Sequence, residues 1–202
     1  MNIKTLPVGL IDTNCYFVHL PEKRQLYVID PGGDAAEIVA VARSFDFDRV
    51  EILLTHAHVD HISAAGEVAR ALGIDCVRLA AADHPLYASP GNALLPWLPA
   101  AKNLPPAKEF APNDDFTVLP LPGHTPGGSG LLFAAGNALF VGDTLFAGSV
   151  GRTDLPGGDY HSLMESIHSR LLTLADDLNV YPGHGPATTI GRERATNPYL
   201  QD

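Results

Sequence analysis

The sequence predicts an α/β fold in which two sheets lie between outer helices. Three observations carry that prediction. Short apolar runs of strand length recur along the chain, and groups of them are followed by a segment with apolar residues at helical spacing. Loops carrying His and Asp stand directly after strand-like runs in both halves, as they do when a rigid sheet holds a site at its edge.

In order, Ile3 to Leu6, Cys15 to Leu20 and Leu26 to Asp30 read as hairpin-forming strands, with a turn at Pro21 to Arg24. Asp30-Pro31-Gly32-Gly33 ends the third strand. Asp30 either shapes that turn or bonds to a neighbouring loop. Asp34 with Glu37 has the form of a capping box, opening a helix that carries Ile38, Val41 and Ala42. Val50 to Leu54 is the next strand, and Ile62, Ala65, Val68, Ala69 and Leu72 predict a helix that Gly73 stops. Cys76 to Leu79 is extended again. Residues 84–112, rich in Pro and Ala and holding the only tryptophan, Trp97, form either a lid or an irregular surface connection.

Phe116 to Leu121, Leu131 to Phe133 and Ala138 to Val141 alternate with turns, including Ala135-Gly136-Asn137, and predict a β-meander. Leu163, Ile167, Leu171 and Leu174 then lie on one helical stripe, and Asn179 to Tyr181 is a last strand. The halves show no sequence repeat. At 202 residues and 46% hydrophobic content the chain has ample material for a packed core, and no linker divides it, so one domain is expected.

The formal charge of −10 disfavours nucleic acid as a partner, since phosphates need a Lys/Arg surface. Cys15 and Cys76 are far apart and form no C-x-x-C pair, which predicts two reduced core residues. The apolar stretch at the N-terminus is interrupted by Pro7, Asp12 and Asn14, and no run reaches transmembrane length. The expectation is a cytoplasmic protein with no membrane partner.

After Val50 to Leu54 the chain places His56, His58, Asp60 and His61 within six residues, more imidazole than packing requires. That density calls for a metal. His56 and His58, two apart in an extended segment, share a face and can converge on one ion. Asp60 and His61 lie where the chain turns into the next helix, point elsewhere, and suit a second ion. Further ligands must come from other loops, and His124, Asp143 and His184 are the candidates. His161 and His168 stand outside these motifs and read as surface or capping residues.

The H-x-H-x-D-H stretch, the Gly123-His124-Thr125-Pro126-Gly127 loop, Gly142-Asp143-Thr144 and Gly183-His184 resemble, in that order, the metallo-β-lactamase fold superfamily. The likeness covers nearly the whole chain. Within it, Gly142 to Phe146 followed by Gly151-Arg152-Thr153-Asp154-Leu155-Pro156-Gly157-Gly158-Asp159 is similar to the short glyoxalase II-like (hydroxyacylglutathione hydrolase-like) enzymes, and Arg152-Thr153-Asp154 also resembles the persulfide dioxygenases. The resemblance implies a single domain over residues 1–202 with the four-layer αββα sandwich. It also implies a ligand set: His56, His58 and His124 on one divalent ion, Asp60, His61 and His184 on the other, Asp143 between them. Zinc is the first choice of metal; iron and manganese fit the same donors.

Two adjacent cations bring the pKa of a shared water to roughly 7 from about 15.7, so no Ser or Cys nucleophile is needed. The chain has no G-x-S-x-G elbow and no phosphate loop. Asp60 would orient that water and accept its proton. A thiol of pKa about 8–9 leaves unaided as thiolate, so a thioester is the least demanding substrate. Glyoxalase II-like enzymes cleave one, S-D-lactoylglutathione, to D-lactate and glutathione. The rivals are a mononuclear iron persulfide dioxygenase, another metal-dependent hydrolase such as a lactonase, and a non-catalytic metal-binding module. Arg152 either pairs with a substrate carboxylate or forms an ion pair with Asp154 or Asp159. Longer glyoxalase II enzymes add a C-terminal helical region that helps bind glutathione. Here Gly191 to Asp202 follow the last ligand loop, and Arg192 to Tyr199 resembles the ending of the short enzymes.

Overall fold

A computed structural model describes residues 1–201. The chain forms two compact units, Met1–Phe110 and a second from Ala111 onward. The first is built on a six-stranded sheet ordered β1 to β6: β1 (Asn2–Val8), β2 (Thr13–Leu20), β3 (Gln25–Ile29), β4 (Arg49–Leu53), β5 (Val77–Arg78) and β6 (Ala107–Lys108). The first three are antiparallel and β3 to β6 are parallel. Parallel neighbours need crossovers. These are α1 (Ala35–Ala42) between β3 and β4, α2 (Val59–Ile62) with α3 (Ala65–Leu72) between β4 and β5, and the segment that carries α4 (His84–Tyr87) between β5 and β6.

Alternate strand residues Cys15, Phe17, Leu26, Val28, Ile52 and Val77 share one core cluster with Ile38 and Ala42 of α1 and Ala65, Val68 and Ala69 of α3. The intervening Tyr16, Val18, Tyr27, Ile29 and Leu53 are buried as well. That explains the apolar runs Cys15 to Val18 and Leu26 to Ile29, the pattern of strands covered on both faces. At the edge, β1 is largely exposed and tolerates Pro7, which has no N–H to donate to a ladder.

The second unit holds a five-stranded sheet. The meander expected over 116–141 is present as β7 (Thr117–Pro120), β8 (Ser129–Phe133) and β9 (Ala138–Gly142), all antiparallel. A small hairpin, β10 (Leu145–Phe146) with β11 (Ser149–Val150), precedes α5 (Tyr160–Ser166). The helix widens into a π turn at Ile167–Leu171. Then β12 (Asn179–Pro182) runs parallel to β9, with β13 (Thr188–Thr189) antiparallel beside it and α6 (Ile190–Thr196) after it. The predicted stripe packs as drawn: Leu163, Ile167 and Leu171 join Leu121, Leu139, Val141 and Val180 in one cluster, with Leu174 on its margin.

Several expectations need correction. Asp34 does not cap α1 with its side chain. It sits in the left-handed region at φ 48°, outside the extended conformation an N-cap uses, and its carboxylate instead accepts the Gly9 amide at 2.8 Å. The helix predicted from Ile62 to Leu72 is interrupted at Ser63 and Ala64, and only Ala65–Leu72 is continuous, ending on Gly73 at φ 71°. Cys15 is buried, while Cys76 is part-exposed. Residues 84–112 are partly ordered as elements: α4 (His84–Tyr87), a 3-10 turn at Pro90–Asn92 and β6. Trp97 in this segment is 74% exposed. Among the described residues no helix is long and apolar enough to cross a membrane.

Candidate metal centre

Ligands in open α/β sheets gather past the carboxyl ends of parallel strands. In the first unit, β3 ends at Ile29 and leads to Asp30, and β4 ends at Leu53 and leads to Thr55, His56, His58, Asp60 and His61. All six are buried. In the second unit, parallel β9 and β12 lead to Asp143 and His184, while His124 lies in the loop after β7. Of the seven residues singled out in the sequence, His56, His58, His124, Asp143 and His184 therefore stand on loops beyond strand ends, and Asp60 and His61 on the short helix α2 that follows the first of those loops.

Within the first unit the ligating atoms of Asp30, His56 and His61 lie within 4.8 Å of one another. The rings of His56 and His58 are 5.0 Å apart and nearly perpendicular, and those of His56 and His61 are 4.1 Å apart. A buried carboxylate organises them. Asp30 accepts the Thr55 amide at 2.8 Å, the Thr55 hydroxyl at 2.6 Å and His61 Nδ1 at 2.9 Å. Of its two proposed roles, the bond to the neighbouring loop is present, and at φ 52° it also makes the turn. On the other side, Asp83, fully buried, accepts the amide of Ala57, the residue between His56 and His58, at 3.0 Å. Sequence reasoning missed Asp83. Its sole signal was an acidic residue just beyond a short strand.

These bonds fix tautomers. A carboxylate only accepts, so His61 carries its proton on Nδ1. The Thr55 hydroxyl donates to Asp30, so its oxygen, 3.0 Å from His56 Nδ1, accepts, and His56 too is an Nδ1–H tautomer. Both rings therefore present a lone pair at Nε2. The Nε2 atoms of His56, His58 and His61 are buried and take part in no hydrogen bond. His61 Nε2 faces Asp60 Oδ2 at 3.3 Å, and the same carboxyl oxygen accepts the Thr13 hydroxyl at 3.1 Å. The backbone here has no room for a side chain at position 32, because a Cβ on Gly32 would stand 1.5 Å from the Asp60 carbonyl oxygen.

The second unit repeats the logic with different elements. His124 Nδ1 donates to the Arg152 carbonyl at 2.7 Å, which again turns a lone pair out at Nε2. That lone pair faces Asp143 Oδ2 at 3.6 Å, and His184 Nε2 lies 3.7 Å from the same oxygen. A Cβ on Gly151 would fall 1.9 Å from the Asp143 carbonyl oxygen, so glycine lets the chain just after β11 pass behind Asp143 and His124. Arg152 itself forks onto Asp154 with two bonds of 2.7 Å, the ion pair that stood as one of its two expected roles. Arg152 holds the Asp154 carboxyl down to about 2. His161 and His168 are exposed, as expected.

An imidazole lone pair set against a carboxylate oxygen is two acceptors in contact. Only a cation between them, a proton or a metal, makes that favourable. Neutral imidazoles with oriented Nδ1 protons and nearby carboxylates are the donor set of zinc and iron sites, and each ring is held from behind as such ligands are. The residues present in each unit fit a divalent metal.

Comparison with known proteins agrees with this chemistry. Residues 8–184 match the description of the metallo-beta-lactamase superfamily. The chain is 37% identical to hydroxyacylglutathione hydrolase GloC of Haemophilus influenzae, over 99% of this chain and 98% of the relative. Among solved structures it is similar to the BLEG-1 B3 metallo-beta-lactamase (TM-score 0.90, 36% identity, 100% of both chains). It is also similar to TTHA1623 in a di-iron-bound form (TM-score 0.88, 39% identity, 98% of this chain and 100% of that one). With the mixed α/β fold, the His and Asp clusters and these likenesses in agreement, the chain belongs to the metallo-beta-lactamase superfamily, as a metal-dependent hydrolase.

Proposed function

We propose that this hydrolase cleaves glutathione thioesters, with S-D-lactoylglutathione as substrate and D-lactate and glutathione as products. His56, His58 and His124 would hold one divalent ion, Asp60, His61 and His184 a second, and Asp143 would serve both. The observation that carries the reading is the set of imidazole lone pairs turned toward carboxylate oxygens at His61 and His124, an arrangement that wants a cation. Zinc or iron suits these donors, and the di-iron form of a similar structure favours testing both. When bound, such ions lower the pKa of water to about 7 and polarise a carbonyl.

The chain's own residues supply the remainder. Asp60, which accepts the Thr13 hydroxyl, would orient water and take its proton. No protein acid is required for departure, since a thiol of pKa about 8–9 leaves as thiolate. Arg152 uses Nε and Nη2 on Asp154, and Nη1 lies outside that fork, open to a substrate carboxylate. The likeness to GloC supports the thioester over other acyl substrates. We place the protein in the cytoplasm, where reduced thiols such as Cys15 and Cys76 persist.

The test is hydrolysis of S-D-lactoylglutathione by protein of measured metal content, beside a His58→Ala variant. The expected result is turnover that follows metal loading and falls at least about 100-fold in the variant, the scale of losing an activating group. One iron per chain with oxygen uptake on glutathione persulfide, and no thioester cleavage, would instead establish the dioxygenase reading.

A further inference from the structure

The C-terminal run Arg192 to Tyr199 is not used by the site described above, yet it contains a fully buried carboxylate. Glu193 is inaccessible to solvent in the middle of α6. A buried ionisable group is costly unless it is fully bonded. This one accepts three hydrogen bonds: from the Thr188 hydroxyl, from the Gly148 amide at 2.8 Å, and from Asn197 Nδ2 at 2.8 Å. Asn197, equally buried, also donates to the Ser149 carbonyl at 3.1 Å, and its own oxygen accepts the Tyr199 amide at 3.0 Å.

Two of those bonds grip the β10–β11 hairpin at its turn. From there the chain runs directly to the ligand loops. Val150 pairs with Leu145, the Gly151 amide donates to the Thr144 carbonyl at 3.2 Å, and the next residue, Arg152, supplies the carbonyl that orients His124. Gly151 packs against both Asp143 and His124, and Phe146 of the hairpin lies 6.4 Å, ring to ring, from His184. The hairpin thus touches or orients His124, Asp143 and His184, and its turn is fixed by Glu193 and Asn197.

We propose that Glu193, with Asn197, is a positioning residue for the metal ligands of the second unit, acting through the β10–β11 hairpin and the Arg152 carbonyl. The reading rests on His124, Asp143 and His184 being metal ligands. It assigns the C-terminal helix a task beyond covering the sheet: it sets the tautomer and placement of a ligand on a loop distant in sequence. Replacing Glu193 leaves the Gly148 amide without its acceptor and removes one of the acceptors that hold the Asn197 side chain, so the hairpin turn can shift and the Arg152 carbonyl with it.

The experiment compares wild type with Glu193→Ala, Glu193→Gln and Asn197→Ala by two readouts. Imidazole ¹⁵N shifts of His124 in metal-free protein report its tautomer, and chelator competition reports zinc affinity. In wild type we expect a fixed Nδ1–H tautomer. In Glu193→Ala we expect mixed tautomers and a 10–100-fold loss of zinc affinity, the range for removing an outer partner of a ligand. Glu193→Gln, which keeps one acceptor oxygen for Gly148, should recover most of it. Unchanged tautomer and zinc affinity within twofold of wild type in a Glu193→Ala protein that is folded but less stable would overturn the proposal, leaving Glu193 a packing residue. If Glu193→Ala does not fold, Asn197→Ala decides by the same two measurements. A wild type that shows the fixed His124 tautomer but takes up no zinc would sink the metal reading while leaving the positioning of His124 standing.

Discussion

Changing Asp30 to Asn should switch two imidazoles at once. In the native protein Asp30 Oδ2 accepts both the Thr55 hydroxyl and His61 Nδ1, and Thr55 in turn accepts from His56 Nδ1. The substituted carboxamide can keep the Oδ1 bond to the Thr55 amide, but its nitrogen would then replace Oδ2 and meet two donors. The relief available is reversal: Thr55 accepts from the new side-chain nitrogen and donates to His56 Nδ1, and His61 Nδ1 becomes an acceptor. Each ring must then carry its proton on Nε2, where it can no longer ligate. Backbone strain does not confuse the test, because Asn tolerates the left-handed conformation found here at φ 52°. Two hydrogen bonds to a charged group, worth about 1.5–3 kcal/mol each, are exchanged for two neutral ones of about 0.5–1.5. A loss of about 2–3 kcal/mol is therefore expected in urea unfolding followed by circular dichroism. Zinc affinity should fall by at least the 10–100-fold typical of outer partners, since two rings are affected. Native tautomers in the ¹⁵N spectrum of Asp30→Asn, together with unaltered zinc affinity, would refute this account of how the site is oriented.

Two further outcomes follow from geometry elsewhere. The Asp154 carboxyl, held down to about 2 by Arg152, is a group whose folded pKa is depressed, so its contribution is present above the ordinary value near 3.9 and lost as pH falls through about 2. Carboxyl NMR should show the low midpoint in wild type and a return toward about 3.9 in Arg152→Ala, with little change in global stability because the pair is exposed. Gly151→Ala should cost about 1–3 kcal/mol in the same unfolding assay and lower zinc affinity, because the new Cβ would lie 1.9 Å from the Asp143 carbonyl oxygen. Wild-type values for both would mean that the backbone at Gly151 has more room than its contacts indicate.

Periodicity was legible where burial is regular. The stripe Leu163, Ile167 and Leu171 follows helical spacing, and strands were legible as apolar runs such as Ile52 to Leu54 and Ala138 to Val141, which are buried on both faces. The H-x-H-x-D-H density was legible because so much imidazole has no use in packing. What escaped depends on contacts distant in sequence. Asp34 looked like a cap, but the Gly9 amide takes its carboxylate and its backbone is left-handed. The helix at Ile190–Thr196 carries three charged residues in a row, and its buried side is held by Ile190 and the bonded Glu193, a pattern that hydrophobic spacing does not register. The β10–β11 hairpin has two-residue strands, too short for alternation, and only the turn glycine Gly148 at φ 74° hinted at it. Asp83 was passed over, because a lone acidic residue beyond a strand becomes informative only when the amide it serves is known.

Trp97, the only tryptophan, stands on the 84–112 segment with most of its surface in water. Its indole already experiences a wet environment in the native state, so emission colour and intensity will change little when the chain unfolds. The same fluorophore becomes a selective optical reporter for anything that settles over that segment.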